Sequence, residues 1–355
     1  MTDYAILVFP AANRVYAESS RRLLGAELAV FGAAALEGKL SGIAETALGG
    51  VDYITFSTPD PLDEHDIALL SNASSLYALF EVVEEGLLTP VRLAPLDRFD
   101  SDLLTIQKYV GKTNELFTKL LVNVTCMAMA DPRAMLSRPL RLLDPLCGRG
   151  TTLNQAMMYG FDGAGVDVDG KDFDAYERFI KTWLRSKRLK HSAESGVLRK
   201  NKARLGRRLD ITYGATKEDY KSGEVRTLTY RAADTLTTDE LFPPGSFDLI
   251  VADAPYGVQH GSHRTQDASV ARSPRDLLAA AVPVWNRVLR AGGALGISWN
   301  THVLPRPELI EILRRAGLEV REGGPFEELS HRVDQAIVRD LVVAAKPRDE
   351  SARMQ

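Results

Sequence analysis

The sequence predicts an α/β protein: a largely parallel sheet covered by helices on both faces, preceded by a smaller α/β unit. Three observations lead there. Short apolar strands alternate with amphipathic helices from residue 136 to residue 348. A glycine-rich loop follows the first of these strands and opens a helix. The 355 residues suit two domains of ordinary size.

Composition removes several classes. Hydrophobic residues make up 45% of the chain and charged residues 26%, so there is ample material for a core. No window of about 18 residues is both apolar and uncharged, which argues against a membrane span. The start, Met1-Thr2-Asp3-Tyr4, lacks a basic leader and continues as a strand. The two cysteines, Cys126 and Cys147, are too few for a disulfide framework or a Cys-rich zinc site. A reducing, cytoplasmic setting and no metal are the expectations. Net charge is −3, yet Lys181 to Arg208 holds eleven Lys or Arg against one acid, Glu194. That asymmetry says more than the total.

In chain order, residues 1–105 form the small α/β unit, expected to be accessory and to position RNA. Tyr4–Phe9 is an apolar strand, and Ala17–Phe31 has helical spacing in Leu23, Leu24, Leu28 and Phe31. Val51–Ser57 alternates as a strand, His65–Glu85 is expected to be a helix, and Val91–Ala94 a strand. Residues 106–135 connect, with a helix over Asn114–Ala130. In 136–348 the predicted strands are Leu140–Leu143, Gly163–Asp167, Val225–Arg231, Phe247–Ala252, Ala294–Trp299, Leu318–Arg321 and Gln335–Ala345. The last two follow without a helix and should pair antiparallel. Residues 349–355 are a charged tail.

The loop Asp144-Pro145-Leu146-Cys147-Gly148-Arg149-Gly150-Thr151 is the most informative segment. Glycines let the backbone turn sharply and approach a ligand, and the helix beyond offers unpaired N–H groups. Asp144, Pro145, Cys147, Gly148, Gly150 and Thr151 are its candidate cofactor contacts. No G-K-[ST] follows, so a phosphate loop is not expected. Asp167 ends the second strand, where an acid can bind ribose hydroxyls, and Asp234 ends the third, where one can meet an adenine amine. Each Asp alone is equally well explained as a helix cap. Acids at three successive strand ends suit a nucleoside without phosphate and welcome a sulfonium, which favours S-adenosylmethionine over NAD. Cys147 has no neighbouring base and is not expected to act as a nucleophile.

The fourth strand ends in Asp253-Ala254-Pro255-Tyr256-Gly257. A carboxylate at Asp253 and the carbonyl of Ala254 can each accept one hydrogen of an aromatic amine, localising its lone pair. Pro255 fixes the backbone, and Tyr256 can stack on an extruded base. A plain turn uses the same residue types. This segment resembles the D-P-P-Y motif of class I methyltransferases that modify exocyclic amines. The cofactor loop is similar to that superfamily's D-P-x-C-G-x-G-T form. With the glycine after the tyrosine, the chain resembles the THUMP-type tRNA guanine-N2 methyltransferases over about residues 107–345. Gly111-Lys112-Thr113-Asn114-Glu115-Leu116-Phe117-Thr118 looks like the stretch before their catalytic domain, and Phe117 is carried over as a cofactor contact. The resemblance implies a Rossmann-like seven-stranded methyltransferase sheet, S-adenosyl-L-methionine as cofactor, and methyl transfer to guanine N2 in tRNA. Position 254 departs from the family, which usually has Pro there.

The long insertion, residues 170–223, carries the basic run. Lys187, Arg188, Lys190, Lys200, Lys202 and Arg204 are its candidate nucleic-acid contacts, whereas Trp183 is expected to anchor its helix. His260, His263 and Arg264 follow the catalytic motif in a polar loop. The first 105 residues are short for a THUMP domain with its leader, so the N-terminal unit is atypical. The alternatives are a DNA adenine- or cytosine-N-methyltransferase and a non-catalytic RNA-binding relative. An activating protein partner and the oligomeric state are left open.

Overall fold

A computed structural model describes residues 1–10, 14–84, 86–200, 203–255 and 273–348. In chain order, the N-terminal elements are β1 (Thr2–Val8), α1 (Arg14–Ala34), β2 (Ser41–Leu48), β3 (Val51–Thr58), α2 (Glu64–Leu70), β4 (Leu76–Glu84) and β5 (Leu87–Val91). Then come α3 (Asp102–Thr105), α4 (Glu115–Ala128) and α5 (Ala134–Ser137). The larger sheet begins with β6 (Arg141–Asp144), α6 (Thr151–Met158), β7 (Asp162–Asp167), α7 (Gly170–Ser186), β8 (His191–Lys200), β9 (Ala203–Tyr213), α8 (Lys217–Ser222) and β10 (Arg226–Ala232). It ends with α9 (Thr238–Leu241), β11 (Phe247–Asp253), α10 (Pro274–Val288), β12 (Leu289–Asn300), α11 (Arg306–Arg315), β13 (Glu319–Val320), β14 (His331–Arg332) and β15 (Val338–Ala345).

The N-terminal strands form a five-stranded antiparallel sheet in the order β2-β3-β1-β4-β5. Two expectations are corrected here. The helix expected over His65–Glu85 is only α2, and Leu76–Glu84 is strand β4. The run Ser71–Ser75 cannot propagate a helix, because Ser and Asn compete for backbone hydrogen bonds. The Leu-Tyr-Ala-Leu-Phe-Glu-Val-Val that follows suits a pleated sheet. The strand expected at Val91–Ala94 lies earlier, at Leu87–Val91, because it pairs back onto β4 with Val82 opposite Leu88. Strand β2 has no strong alternating pattern, since it is an edge strand with no buried residue.

In the larger sheet the order β10-β7-β6-β11-β12-β15-β13 gives seven strands, parallel except β15. The expected antiparallel pairing of the last two is present. Side chains alternate along these strands. Leu142, Leu249, Val251 and Leu341 join the core that holds α4, whereas Leu143, Ile250, Ala252 and Val342 join the one holding α10 and α11. Both faces are thus covered. The sequence left the middle of the 170–223 insertion without assigned elements. It is a hairpin, β8–β9, that extends the sheet beyond β10.

Helix α4 joins the two sheets. Its Asn123 donates to Glu27 Oε1 (2.7 Å) and to the Asn72 carbonyl (2.7 Å), while the Tyr159 hydroxyl donates to Asn123 Oδ1 (2.8 Å). Glu27 is wholly buried, and burial raises its pKa. Three hydrogen bonds from Ser74 and Asn123 offset that cost.

Candidate active site

Strand order reverses between β6 and β11: the chain leaves β6 towards β7 on one side and returns to β11 on the other. The crevice at the carboxyl ends of such strands is where doubly wound sheets bind ligands. A cleft of about 310 Å³ opens there. Asp144, Leu146, Cys147, Gly148, Arg149, Thr151 and Thr152 form one wall, and Asp253, Ala254 and Pro255 another. Tyr109, Thr113 and Asp172 close it.

The glycine loop is built by close packing. Gly150 has φ +77°, and a Cβ on it would lie 2.3 Å from the ring of buried Tyr176. The Cys147 N–H donates to the Val166 carbonyl (3.0 Å), and the Tyr230 hydroxyl donates to the Gly148 carbonyl (2.6 Å). A Cβ at Gly165 would lie 2.6 Å from the Cys147 sulfur, so this loop and β7 accept only small groups here. Burial raises the Cys147 pKa, which leaves a neutral thiol in a packing role.

Asp144 ends β6, is 3% exposed, and accepts from the Leu146 N–H (3.0 Å). Burial pushes its pKa up to about 7; hydrogen bonds from Thr152 and Leu146 oppose this, and the charges of Asp253 and Asp167 add to it. Asp167 accepts from the Gly148 and Asp169 N–H groups, both at 2.9 Å, and burial raises its pKa too. Asp234 is exposed at the start of a 3₁₀ turn and accepts from the Leu236 N–H (2.9 Å). Asp167 and Asp234 thus cap local backbone, and neither is among the residues walling the cleft.

Asp253 stands in register with Ser298 of β12. The Ser298 hydroxyl donates to Asp253 Oδ1 (2.8 Å), the Thr113 hydroxyl donates to Oδ2, and the Ala254 N–H donates to the Ser298 carbonyl (2.8 Å). The carboxylate is held from two sides by elements far apart in sequence. Thr113 lies within the segment Gly111–Thr118 that the sequence singles out, directly before the Asn114 cap of α4. Ser298 has no signal beyond its place in a core strand. Tyr109 and Arg149 were also missed: the guanidinium lies 4.7 Å over the Tyr109 ring and pairs with Asp172 (2.9 Å).

Phe117, carried over as a cofactor contact, is not brought to the cleft. It is fully buried, with His331 at 5.1 Å and the Arg339 guanidinium 4.4 Å over its ring. The spacing that makes it an apolar position of α4 turns it inward. Tyr256, Lys202, His260, His263, Arg264 and the tail 349–355 lie outside the described residues, as do the side chains of Lys200 and Arg204.

The basic run is divided by the fold. Lys187 pairs with Asp100 and Asp102, both at 2.7 Å; Arg207 pairs with Asp174 (2.6 Å), Lys181 with Glu177 (2.7 Å), and Arg208 with Asp210. Asp174, Glu177 and Asp210 flank the run just outside its ends and Asp100 and Asp102 come from the connector side, so the charge count within 181–208 overstated the field. Trp183 anchors α7 as expected, donating to Asp102 (3.0 Å) beside Phe99. Lys187, Arg188 and Lys190 sit at the amino edge of the sheet, because the Gly214 N–H donates to the Lys190 carbonyl and Tyr213 lies opposite Arg226. The other end of the hairpin, with Arg199 and Lys200, runs past Ala232 at the carboxyl edge. There Leu198 packs against the core that holds Ala233 and Ala254. Among the described residues, Lys187, Arg188 and Lys190 therefore lie at one end of the hairpin, and the backbone of Lys200 and Arg204 lies at the other.

The fold is a Rossmann-like doubly wound sheet of seven strands, all parallel but one, with a smaller antiparallel sheet attached. No protein-family model matches the chain, and no curated protein matches it. Among solved structures it is similar to TrmN from Thermus thermophilus, with a TM-score of 0.37 and 17% identity over 84% of this chain and 57% of that one. It is similar to a TehB-like SAM-dependent methyltransferase from Corynebacterium glutamicum, with a TM-score of 0.33 and 17% identity over 60% and 85%. It is also similar to the 1,6-didemethyltoxoflavin-N1-methyltransferase of Burkholderia thailandensis, with a TM-score of 0.35 and 16% identity over 60% and 74%. Likeness at this level says nothing by itself about substrate or activity. No helix among the described residues is long and apolar enough to cross a membrane.

Proposed function

We propose that this protein transfers a methyl group from S-adenosyl-L-methionine to an exocyclic amine of a nucleobase, guanine N2 of tRNA being the favoured target. One observation carries this: Asp253, pinned by Thr113 and Ser298, faces the same cleft as the Asp144 glycine loop. The cleft fits such a cofactor. It gathers Asp144, Asp172 and Asp253 around a space where, among the described residues, the one cationic side chain is Arg149, already paired to Asp172. That donor set suits a cation and opposes a phosphate. When bound, the cofactor supplies a methyl group on a sulfonium.

The protein's own residues then do the positioning. Asp144 and the Gly148–Thr151 turn hold the cofactor, with Pro145 and Cys147 shaping the loop and Asp167 bracing it through the Gly148 N–H. Asp253 and the Ala254 carbonyl accept the two amine hydrogens, which frees the nitrogen lone pair and holds it in line. Pro255 fixes that turn and Tyr256 offers a stacking face. The described end of the hairpin at Arg199 lies past Ala232 at the carboxyl edge of the sheet, and we assign phosphate contact to it; Lys187, with its two acidic partners, is a structural cation. Residues 1–105 serve as an accessory unit, 106–135 as connector and 136–348 as the catalytic domain. An RNA rather than DNA target is favoured by the glycine after Tyr256.

The test is methyl transfer from labelled cofactor to tRNA, rRNA and genomic DNA from a strain lacking this protein, followed by nucleoside mass analysis. N2-methylguanosine in tRNA is expected. Label on a DNA base would keep the site chemistry and replace the substrate. No label anywhere, with cofactor bound, would refute the enzymatic assignment.

A further inference from the structure

The N-terminal sheet has two unlike faces. On one, Tyr4, Ile6, Ile54, Phe56 and Leu79 are buried against α1 and α2. The alternate residues point the other way. The register places Leu7 opposite Tyr53 and Ala78, and Ala5 opposite Thr55 and Phe80; Asp3 stands opposite Val82, which pairs with Leu88. Tyr53 and Phe80 meet edge to face at 6.3 Å across β1. At the end of the same sheet, Phe9 (40% exposed) and Tyr77 (57% exposed) meet at 5.8 Å. This is an aromatic, half-exposed surface with no described helix upon it.

Charge decides what can cover it. The five strands contain five acids, Asp3, Glu45, Asp52, Glu81 and Glu84, and not one Lys or Arg. A polyanion finds no counter-charge here, although stacked aromatics on a sheet can serve RNA in other settings. The acids mostly stand aside from the open face. Glu45 and Asp52 pair with Arg21 of α1, and Glu81 lies opposite Tyr4 on the helix side. Asp3 lies on the open face, where it accepts from the Ser57 hydroxyl (2.6 Å), and Glu84 is exposed at the last residue of β4, beyond a register shift, so the acids keep to one end of the face. A nearly uncharged apolar surface is self-complementary, since a two-fold axis brings it onto itself without like-charge contact. Five strands about 4.8 Å apart and seven residues long cover about 550 Å². Two such faces exclude about 1,100 Å², just over the roughly 1,000 Å² that a specific interface needs.

We propose that the open face of this sheet is a homodimer interface, covered by the same face of a second copy of the chain. The experiment is sedimentation velocity on the full chain from about 1 to 100 µM, the range expected for an interface of this size. Wild type is expected to pass from monomer to dimer. Thr55→Lys puts a charge at the centre of the face, and the dimer constant should rise at least about thirtyfold with the thermal midpoint kept. Leu88→Lys, on the edge strand, gives the same readout should the first variant not fold. A wild type monomeric at the top concentration would overturn the proposal. So would a dimer that both variants leave intact, or ultraviolet cross-linking of RNA to Tyr53 or Phe80.

Discussion

Replacing Asp144 with Asn should change how stability depends on pH. Asp144 is 3% exposed, and burial lifts its pKa from 3.8 to about 7. The folded chain therefore holds this proton more tightly than the unfolded chain does. Its contribution to stability is full below about pH 4 and is lost as pH rises to about 7. A rise of that size corresponds to roughly 4 kcal/mol. Asn cannot ionise, keeps an acceptor for the Leu146 N–H and can donate to the Thr152 hydroxyl. The other titrating groups are common to both proteins, so the difference between them isolates Asp144. Thermal midpoints from about pH 4.5 to 8.5 should converge at the acid end. At the alkaline end the variant should lead by about 6–8 °C, at about 2 °C per kcal/mol for a protein of this size. Parallel profiles would show that Asp144 is solvated or ionised throughout, and the account of the cleft's electrostatics would fall with it.

Asp253→Asn should cut turnover at least about a hundredfold while S-adenosylhomocysteine binding, measured by calorimetry, stays within about twofold; normal turnover would remove Asp253 from the chemistry. Thr113→Val deletes one charge-assisted hydrogen bond to Asp253, so the catalytic constant should drop roughly tenfold with little change in cofactor affinity. Gly150→Ala combines φ +77° with a Cβ against Tyr176, whose hydroxyl bonds Asn154 (3.2 Å) and cannot yield. It should destabilise by about 2–4 kcal/mol in urea unfolding and abolish cofactor binding. Arg199→Glu at the cleft end of the hairpin should weaken tRNA binding and flatten its salt dependence, while Lys190→Glu at the far end should leave both nearly unchanged. Equal effects would mean that the hairpin lies along the RNA.

Much of the larger sheet was legible in the sequence because its strands are buried on both faces. Phe247–Ala252 and Ala294–Trp299 are short, mostly apolar and buried stretches, the second preceded by the Gly292-Gly293 turn. The glycine loop and the Asp253 turn were legible for a different reason: sharp backbone turns restrict residue type. Partnership was not legible. Nothing local to Lys187 marks Asp100 and Asp102 as its neighbours, and Phe117 reads the same whether it faces a cleft or a core. The hairpin was hidden because a strand edged by solvent needs no strong alternation. The helix expected across 65–85 fails at Ser71–Ser75, where local hydrogen bonding outweighs apolar spacing.

The sequence by itself determined the α/β class, the order of most strands along the chain, and the two segments that meet in the cleft, because burial and tight turns leave a composition behind. Only the tertiary structure decided that β6 and β11 lie side by side, that Thr113 and Ser298 grip Asp253, and that the basic run is split between two ends of the sheet. These depend on pairing between residues up to 140 positions apart, as between Thr113 and Asp253, which local propensity does not encode.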